Sequence, residues 1–284
     1  MTYSGVDRRR GVRPLEWLIG GYAALVGVVV AVRAPELRGW QWLLLAHALI
    51  LVLIWLLNRP GLGRAGRMIR EIFPLLLLLG LYAELDVLNA GSPRVYDAEI
   101  QRLEAFFFGG QPSRDWWRAY PSAFWSFLLH GAYLAYYPIL AFPPLWLAIH
   151  RNHEGLRRFL LMVMTAFVIC YVFFIFFPVA GPYYAFPRPE GPFVDNLMAR
   201  LVYDALEEGS SYGAAFPSSH VAATVAALLA SWRADRHLGR LLILPTVLLI
   251  VAVVYCQMHY AVDAIAGLGI GAAIGAVMGR SGRR

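Results

Sequence analysis

The sequence predicts an all-α fold, a polytopic membrane bundle of about eight transmembrane helices, and three observations indicate it. Hydrophobic residues make up 59% of the 284-residue chain, and charged residues only 15%. Leucine- and alanine-rich runs recur along the chain, and a helix of about 20 apolar residues spans the core of a bilayer. These runs lack the alternation of apolar and polar faces that a soluble protein of this size would show. We therefore expect residues 1–284 to form a single integral membrane domain.

Eight spans are predicted in chain order. The first begins after the stretch RRRGVR and lacks a small-residue cleavage site, so we expect a retained span and not a removed signal peptide. The later spans are apolar runs separated by short basic connections or by longer connections. Their predicted bounds are 15–32, 40–57, 72–90, 122–149, 157–178, 217–232, 239–256 and 259–279.

The distribution of arginine predicts the orientation. The connections on the side of the two termini hold 17 of the 25 basic residues, all of them arginine, and the alternate connections hold 8. Because cytoplasmic loops carry the basic excess, we expect both termini in the cytoplasm, at the inner membrane of a bacterium. The net charge of +7 thus reflects topology, and we expect no nucleic-acid partner. Cys170 and Cys256 lie in apolar runs without a disulfide or metal pattern, which predicts small core residues.

The two long outer connections carry different patterns. In YDAEIQRLEAFFF, residues 96–108, Ile100, Leu103 and Phe107 recur at helical spacing beside charged neighbours, as is typical of a short helix in the membrane interface. The 179–216 connection is rich in Pro, Gly and Tyr. Its tyrosines include Tyr183 and Tyr184, which suit the aromatic belt at headgroup level.

The stretch AFPSSH places polar residues at the start of an apolar span. Pro217 suits the first turn of a helix. The N–H groups that follow would be unpaired at the outer end of the span, where the helix dipole favours an anion. The hydroxyl groups of Ser218 and Ser219 would add donors, and His220 closes the cluster. This end of the span therefore predicts a phosphate-binding site.

A second histidine lies in QMHYAVDAIAG, at the start of the last span. His259 and Asp263 are four residues apart, which places them on one face of a helix. The carboxylate could accept the proton of one ring nitrogen and leave the other nitrogen as a nucleophile or base. The alternative is a structural hydrogen bond that holds two helices together.

The predicted topology brings both histidines to the same side. His220 and His259 each begin a span that runs inward, so both would lie near the outer membrane surface. One histidine could attack phosphorus while the other protonates the departing oxygen, and the free amides would stabilise the charge on the remaining oxygens. This arrangement predicts phosphoryl transfer without a metal or cofactor.

Two of these motifs resemble a known family. AFPSSH resembles the second signature of the type-2 phosphatidic acid phosphatase superfamily, and HYAVD resembles its third. The resemblance implies that His259 is transiently phosphorylated, that Asp263 orients it and that His220 is the general acid. It covers residues 72–279, which implies a six-span phosphatase-like catalytic core preceded by two additional spans in residues 1–71.

Two phosphate-binding cations expected in that family are absent. The lysine that precedes Arg-Pro by six intervening residues is replaced by Gly181, and Ala252 and Val253 stand in place of a Ser-Arg pair. The pattern is closer to the inositol phosphorylceramide synthase branch, which FPVAGPYY and LEAFFFGGQP also resemble. Members of that branch transfer a phosphorylated headgroup from one lipid to a lipid alcohol. Arg188 is then the remaining candidate for a phosphate-binding cation.

Two carboxylates, Glu84 and Asp86, lie in LYAELDVLN, within about two helical turns of the outer end of the third predicted span. Ionisable groups inside a membrane are candidate functional residues because burying them is costly. They could bind a hydroxyl-bearing headgroup, or they could pair with Arg94 or Arg188.

One face of the fourth predicted span carries His130, Tyr133 and Tyr137 at i, i+3 and i+7. This spacing fits either a tyrosine-rich contact between helices or one wall of a headgroup site.

The sequence therefore predicts a membrane enzyme that takes a phosphoryl group or a phosphorylated headgroup from a membrane phospholipid or polyprenyl phosphate. A lipid or sugar alcohol as acceptor makes it a transferase. Water as acceptor makes it a phosphatase of phosphatidic acid, phosphatidylglycerol phosphate or polyprenyl diphosphate. Two other classes remain open: a zinc hydrolase with His220, His259 and Asp263 as ligands, and a non-enzymatic lipid carrier in which Glu84 and Asp86 mark a path. The oligomeric state is not predicted.

Overall fold

A computed structural model describes residues 11–90 and 94–280, and these residues form thirteen α-helices and no strand. The arginines at positions 8–10, 283 and 284, which contribute to the predicted orientation, lie outside the described residues. The helices are α1 (Pro14–Val32), α2 (Trp40–Leu57), α3 (Arg64–Ala90), α4 (Asp97–Phe108), α5 (Pro112–Ala119), α6 (Ala123–Leu134), α7 (Tyr136–Ile149), α8 (His153–Phe176), α9 (Pro182–Ala185), α10 (Leu197–Gly209), α11 (Ser219–Ala234), α12 (Arg236–Tyr255) and α13 (Ala261–Arg280), with a 3-10 turn at Gly191–Phe193.

Five helices in the described part of the chain, α1, α2, α8, α12 and α13, are long and apolar enough to cross a membrane. The pair α6 and α7 would make a sixth span if it is counted as one. Several apolar helices of this kind are consistent with an integral membrane protein. The count of eight spans stays a prediction.

The fourth predicted span, 122–149, is not one straight helix. It is broken at Ala135 into α6 and α7, which meet at a bend of 41°. Pro138 explains the break, because proline lacks the N–H that would bond to the carbonyl of Leu134, and its ring would also clash with that carbonyl.

The chain divides into two compact units, Met1–Gly80 and Leu81–Arg284, with the boundary inside α3. In the first unit α1 packs against α2. Glu16 is buried there and accepts hydrogen bonds from Arg70 and Asn58. A buried carboxylate paired in this way ties the start of α1 to the end of α2 and to α3.

The second unit is built around α11, which packs against α7, α8, α12 and α13. Its residues from Val221 to Ala227 are all buried. Most of them are small, which allows neighbouring helices to approach closely.

The contact between α11 and α13 depends on glycines at every fourth position of α13. A Cβ atom on Gly267 would lie 2.4 Å from the carbonyl oxygen of Ser218, and one on Gly271 would lie 2.8 Å from that of Ala222. The two backbones are therefore in direct contact, as in small-xxx-small packing of membrane helices.

The helix predicted in residues 96–108 is observed as α4. Its buried face carries Asp97, Ile100 and Glu104, whereas Leu103 and Phe107 are exposed. The apolar residues at helical spacing are thus divided between two faces. The 179–216 connection contains the amphipathic helix α10, which begins where the Asn196 side chain accepts a hydrogen bond from the Ala199 N–H.

Candidate active site

His220 lies in the first turn of α11, which begins one residue after Ser218. The Ser218 hydroxyl accepts a hydrogen bond from the Val221 N–H at 3.4 Å, so Ser218 is the N-cap. Pro217 therefore precedes the cap and does not lie in the first turn, and the helix begins two residues later than the sequence analysis expected. The Ser218 N–H donates to the Asp263 carbonyl at 3.0 Å, which fixes the start of α11 against α13.

The backbone N–H groups of Ser219 and His220 have no hydrogen-bond partner among the described residues. They point out of the positive end of the α11 dipole. Two free amides at this place can hold the oxygens of a phosphate group.

His259 lies in the tight turn between α12 and α13. Its N–H donates to the Val253 carbonyl at 2.8 Å. Its Nδ1 lies 3.0 Å from the Ala215 carbonyl oxygen and 3.5 Å from Asp263 Oδ2. Because a carbonyl only accepts, this hydrogen bond assigns the proton to Nδ1 and leaves a lone pair on Nε2. The Ala215 carbonyl is thus the nearer acceptor for the ring, and the sequence did not indicate it.

Asp263 is fully buried, and its Oδ2 accepts a hydrogen bond from the Tyr260 N–H at 2.8 Å. The carboxylate therefore orders the turn that carries His259 as well as lying beside its ring.

The two histidine rings meet. His259 Nε2 lies 3.5 Å from His220 Nδ1, and the ring centroids are 5.6 Å apart. Tyr133 stacks on the His220 ring at 4.9 Å, and Tyr136 lies against it at 4.3 Å. The tyrosines restrict the rotation of His220.

The predicted residues of the 179–216 connection lie around α10. Arg188 Nη1 is 3.5 Å from a carboxylate oxygen of Glu207, and the guanidinium lies over the ring of Tyr183. The hydroxyl group of Tyr184 shares a 2.6 Å hydrogen bond with Ser210. The structure records no contact between these side chains and the two histidines.

The two carboxylates of α3 have different surroundings. Glu84 is buried, whereas Asp86 is exposed and accepts a hydrogen bond from the Tyr212 N–H at 2.8 Å. Arg94 pairs with Glu99 at 2.7 Å, and Arg188 has the partner described above.

His130 and Tyr137 do not share a face, because the break at Ala135 shifts the register of α7. His130 is buried and its Nδ1 contacts the Ser126 carbonyl at 2.8 Å. Tyr137 is exposed and its ring contacts that of Tyr136. The tyrosine of α7 that contacts His220 is Tyr136, not Tyr137.

Sequence analysis missed Gln257, which connects α5 with the 182–187 segment. It is 1% exposed. Its side-chain oxygen accepts hydrogen bonds from Trp117 and Arg118, both at 3.0 Å, and its nitrogen donates to the carbonyl groups of Pro182 and Pro187. A glutamine two residues before a candidate nucleophile was the available signal.

Sequence analysis also missed Glu104 of α4, which is fully buried and accepts a hydrogen bond from the Ala261 N–H. Burial raises the pKa of Glu104 to about 7, and the charge of Asp263 adds to the shift. The signal was its spacing of seven residues from Asp97, which puts both carboxylates on one helix face.

No group of three or more His, Cys, Asp or Glu side chains within residues 11–90 and 94–280 has the geometry of a metal site. The zinc hypothesis needs lone pairs from His220, His259 and Asp263 at one point. Instead the Asp263 carboxylate lies beside the protonated Nδ1 of His259, whereas the Nε2 lone pair on the other edge of that ring faces His220.

The comparison of the sequence with known protein families found a match. A family model described as the PAP2 superfamily matches residues 98–277, more than half of the chain. The chain belongs to the PAP2 superfamily. Membership indicates an enzyme of the phosphatase or phosphotransferase type. No curated protein and no solved structure matches the chain.

The structure explains why this PAP2 chain lacks two cations at the expected places. Gly181 has φ +94°, and a Cβ atom there would lie 2.8 Å from that of Ala215. A lysine would be strained and would displace the segment that contacts His259. Ala252 and Val253 are completely buried in α12, where an arginine would have no room.

Proposed function

We propose that this PAP2 protein transfers a phosphoryl group or a phosphorylated headgroup from a membrane lipid through a phosphohistidine on His259. His220 is the general acid and base, and Asp263 with the Ala215 carbonyl orients the His259 ring. The observation that carries the proposal is the approach of His259 Nε2 to His220 Nδ1, 3.5 Å apart, beside the free amides of α11.

The reaction has two halves. In the first, the lone pair of His259 Nε2 attacks phosphorus, the bond from phosphorus to the leaving oxygen breaks, and protonated His220 gives that oxygen its proton. In the second, His220 removes the proton of an acceptor hydroxyl, the acceptor oxygen attacks phosphorus and the N–P bond breaks. The amides of Ser219 and His220 hold the phosphoryl oxygens in both halves.

Substrate binding requires the two rings to separate. In-line attack places phosphorus about 3–3.5 Å from the attacking nitrogen, with the departing oxygen beyond it. The His220 ring must therefore turn away from His259, and Tyr133 and Tyr136, which contact it, define the directions in which it can turn.

A transferase of the inositol phosphorylceramide synthase type is the function we favour. The backbone at Gly181 and the buried positions 252 and 253 do not admit the cations of the standard phosphatases. The acceptor would then be a lipid or sugar alcohol. A phosphatase that uses water is the second candidate, since the same two histidines suffice for hydrolysis.

We propose the remaining predicted binding residues as contacts of the lipid substrate. Arg188, Tyr183 and Tyr184 would contact the headgroup of a phospholipid or polyprenyl phosphate, with Ser218 and Ser219 at the phosphate. Glu84, Asp86, His130 and Tyr137 are the remaining candidates for binding the acceptor. The arginine bias supports a site at the extracytoplasmic face, with both termini in the cytoplasm.

The test uses purified protein with ³²P-labelled phosphatidic acid, phosphatidylglycerol phosphate and polyprenyl diphosphate, each with excess EDTA and with or without an alcohol acceptor. We expect an acid-labile, alkali-stable labelled protein that is absent in His259→Ala. Labelled lipid product with the alcohol identifies a transferase, and free phosphate alone identifies a phosphatase.

Two results would refute the mechanism. Turnover by His259→Ala at the wild-type rate would exclude the nucleophile, and activity lost in EDTA but restored by zinc would support the metal hydrolase. Lipid translocation in vesicles without release or transfer of phosphate would support the carrier.

A further inference from the structure

One face of α4 contacts the turn that carries His259. Asp97, Gln101 and Glu104 lie at i, i+4 and i+7, so they share this face. We name these three residues the α4 clamp. Each of them bonds to Tyr260 or Ala261, which directly follow His259.

Glu104 holds the beginning of α13. Its Oε1 accepts a hydrogen bond from the N–H of Ala261, and the N–H of Val262, also in the first turn of that helix, interacts with the same carboxyl group. Such amides lack partners inside their own helix, and a carboxylate there complements the helix dipole. The side chain is completely buried, so water does not compete for these bonds.

The rest of the α4 clamp holds Tyr260. The Tyr260 hydroxyl donates to Asp97 Oδ1 at 3.0 Å, and Gln101 Nε2 donates to the Tyr260 hydroxyl at 2.9 Å. Asp97 also accepts hydrogen bonds from the N–H groups of Ala180 and Gly181, both at 2.8 Å. One short helix therefore fixes the 180–181 segment and the turn after His259 together.

A contribution to stability alone does not explain why position 104 carries a carboxylate. Burying a carboxylate is costly, and its Oε2 has no hydrogen-bond partner in the described residues. An apolar side chain would fill the same place at a smaller cost, but it could not bond the two amides. Glu104 thus contributes by holding the turn after His259 in one conformation.

We infer that the α4 clamp aims His259 Nε2 at the reacting phosphorus, and that Glu104 is its principal positioning residue. The inference rests on the proposed function of His259. It assigns no contact between Glu104 and substrate, because Glu104 acts through the backbone of residues 261 and 262.

The experiment compares Glu104→Ala, Glu104→Gln and the control Glu99→Ala in the full-length protein. Glu99 lies on the same helix and pairs with Arg94 near the surface. We expect Glu104→Ala to lower kcat by about 100-fold, the effect of a displacement of about 1 Å, with KM changed less than about threefold. Glu104→Gln should keep kcat within about fivefold of wild type, because its amide oxygen can still accept the hydrogen bond from the Ala261 N–H.

The second readout needs no turnover. The ¹⁵N shifts of the His259 ring, assigned by their loss in His259→Ala, report its tautomer and hydrogen bonds. We expect altered shifts in Glu104→Ala and wild-type shifts in Glu99→Ala. If wild-type protein processes no lipid phosphate, the proposed function fails, and these shifts still decide whether Glu104 positions His259.

If Glu104→Ala does not fold, Tyr260→Phe takes its place in the experiment. This substitution removes only the hydroxyl group that Asp97 and Gln101 bind. We expect kcat to fall about tenfold and the His259 shifts to change, as an intermediate displacement would cause. Wild-type kcat and His259 shifts in either variant overturn the inference. Equal losses in Glu104→Gln and Glu104→Ala also overturn it, because charge and not positioning would then matter.

Discussion

Replacing Gly267 by alanine tests whether the contact between α11 and α13 sets the distance between the two histidines. The new Cβ atom would lie 2.4 Å from the Ser218 carbonyl oxygen and 3.1 Å from the Val221 Cβ. Ordinary van der Waals contact begins at 3.4 Å, so the helices must separate locally by about 1 Å. Both contacts belong to backbone or Cβ atoms, which cannot turn away as the end of a flexible side chain can.

The displacement acts directly on the site. Ser218 begins the helix that carries His220, and its N–H bonds to the Asp263 carbonyl of α13. A shift of about 1 Å in reacting groups lowers turnover by about 100-fold. Overpacking of a close contact destabilises a protein by about 1–3 kcal/mol. We therefore expect Gly267→Ala to lower turnover by about 100-fold, whereas its free energy of unfolding should fall by only about 1–3 kcal/mol.

Gly269→Ala is the matched control. A Cβ atom on Gly269 would have no atom within 4 Å, although the residue lies on the same helix only two positions away. Alanine favours a helix over glycine by about 1 kcal/mol, so its thermal stability should equal or exceed that of wild type. Its turnover should be unchanged.

The assays are thermal unfolding in detergent and turnover of whichever lipid phosphate the wild-type protein accepts. Wild-type turnover in Gly267→Ala would refute the argument that this backbone contact sets the histidine geometry. Equal losses in Gly269→Ala would refute it as well, because that substitution introduces no contact.

Three further predictions concern residues around the turn that carries His259. The pKa of Glu104 is raised from 4.5 to about 7, so the folded state binds a proton that the unfolded state has released between these values. Thermal stability should therefore fall as pH rises from about 4.5 to 7, and Glu104→Gln should remove this contribution to the slope. Gln257→Ala removes the acceptor of the Trp117 and Arg118 N–H groups and the donor to two carbonyl groups, so the free energy of unfolding should fall by about 1–3 kcal/mol. Gly181→Lys restores the family's lysine at φ +94° against Ala215, so it should lower thermal stability and not increase phosphatase turnover.

Each of these has a direct control. The pH dependence is measured as the difference between wild type and Glu104→Gln, and an identical slope in both would contradict the raised pKa. For Gln257, the control is Gln111→Ala at a half-buried glutamine, whose side chain bonds to the Gln101 carbonyl. A larger loss of unfolding free energy in Gln111→Ala than in Gln257→Ala would contradict the prediction for Gln257. Gly110→Lys introduces the same side chain where the nearest atom to a new Cβ is a carboxylate oxygen at 3.5 Å, and it should be tolerated.

The helical class followed from the length of the apolar runs, because a bilayer core demands uninterrupted apolar helices. The bounds of α1 and α2 agree with the predicted spans 15–32 and 40–57. The span 122–149 is not one helix. Its average hydropathy does not reveal that Pro138 removes one backbone hydrogen bond, and the resulting break places Tyr136 at the site.

The convergence of His220 and His259 could be expected from topology, since both begin helices on one side. Their partners could not. Ala215 contributes a backbone carbonyl, which every residue type carries, so no sequence pattern marks it. Glu104 and Asp97 are 157 and 163 residues from the groups that they bind, and only the packing of α4 against the turn selects them from the other carboxylates of the chain.

The sequence alone determined the all-helical class, the apolar runs long enough to cross a membrane and the residue types of the candidate site, because these depend on local composition and on short motifs. Tertiary structure decided which atoms meet: the Ala215 carbonyl at His259 Nδ1, the tyrosines at His220 and the α4 clamp at the start of α13. Such contacts depend on helix register and on backbone approach within about 1 Å, to which hydrophobic patterning is insensitive.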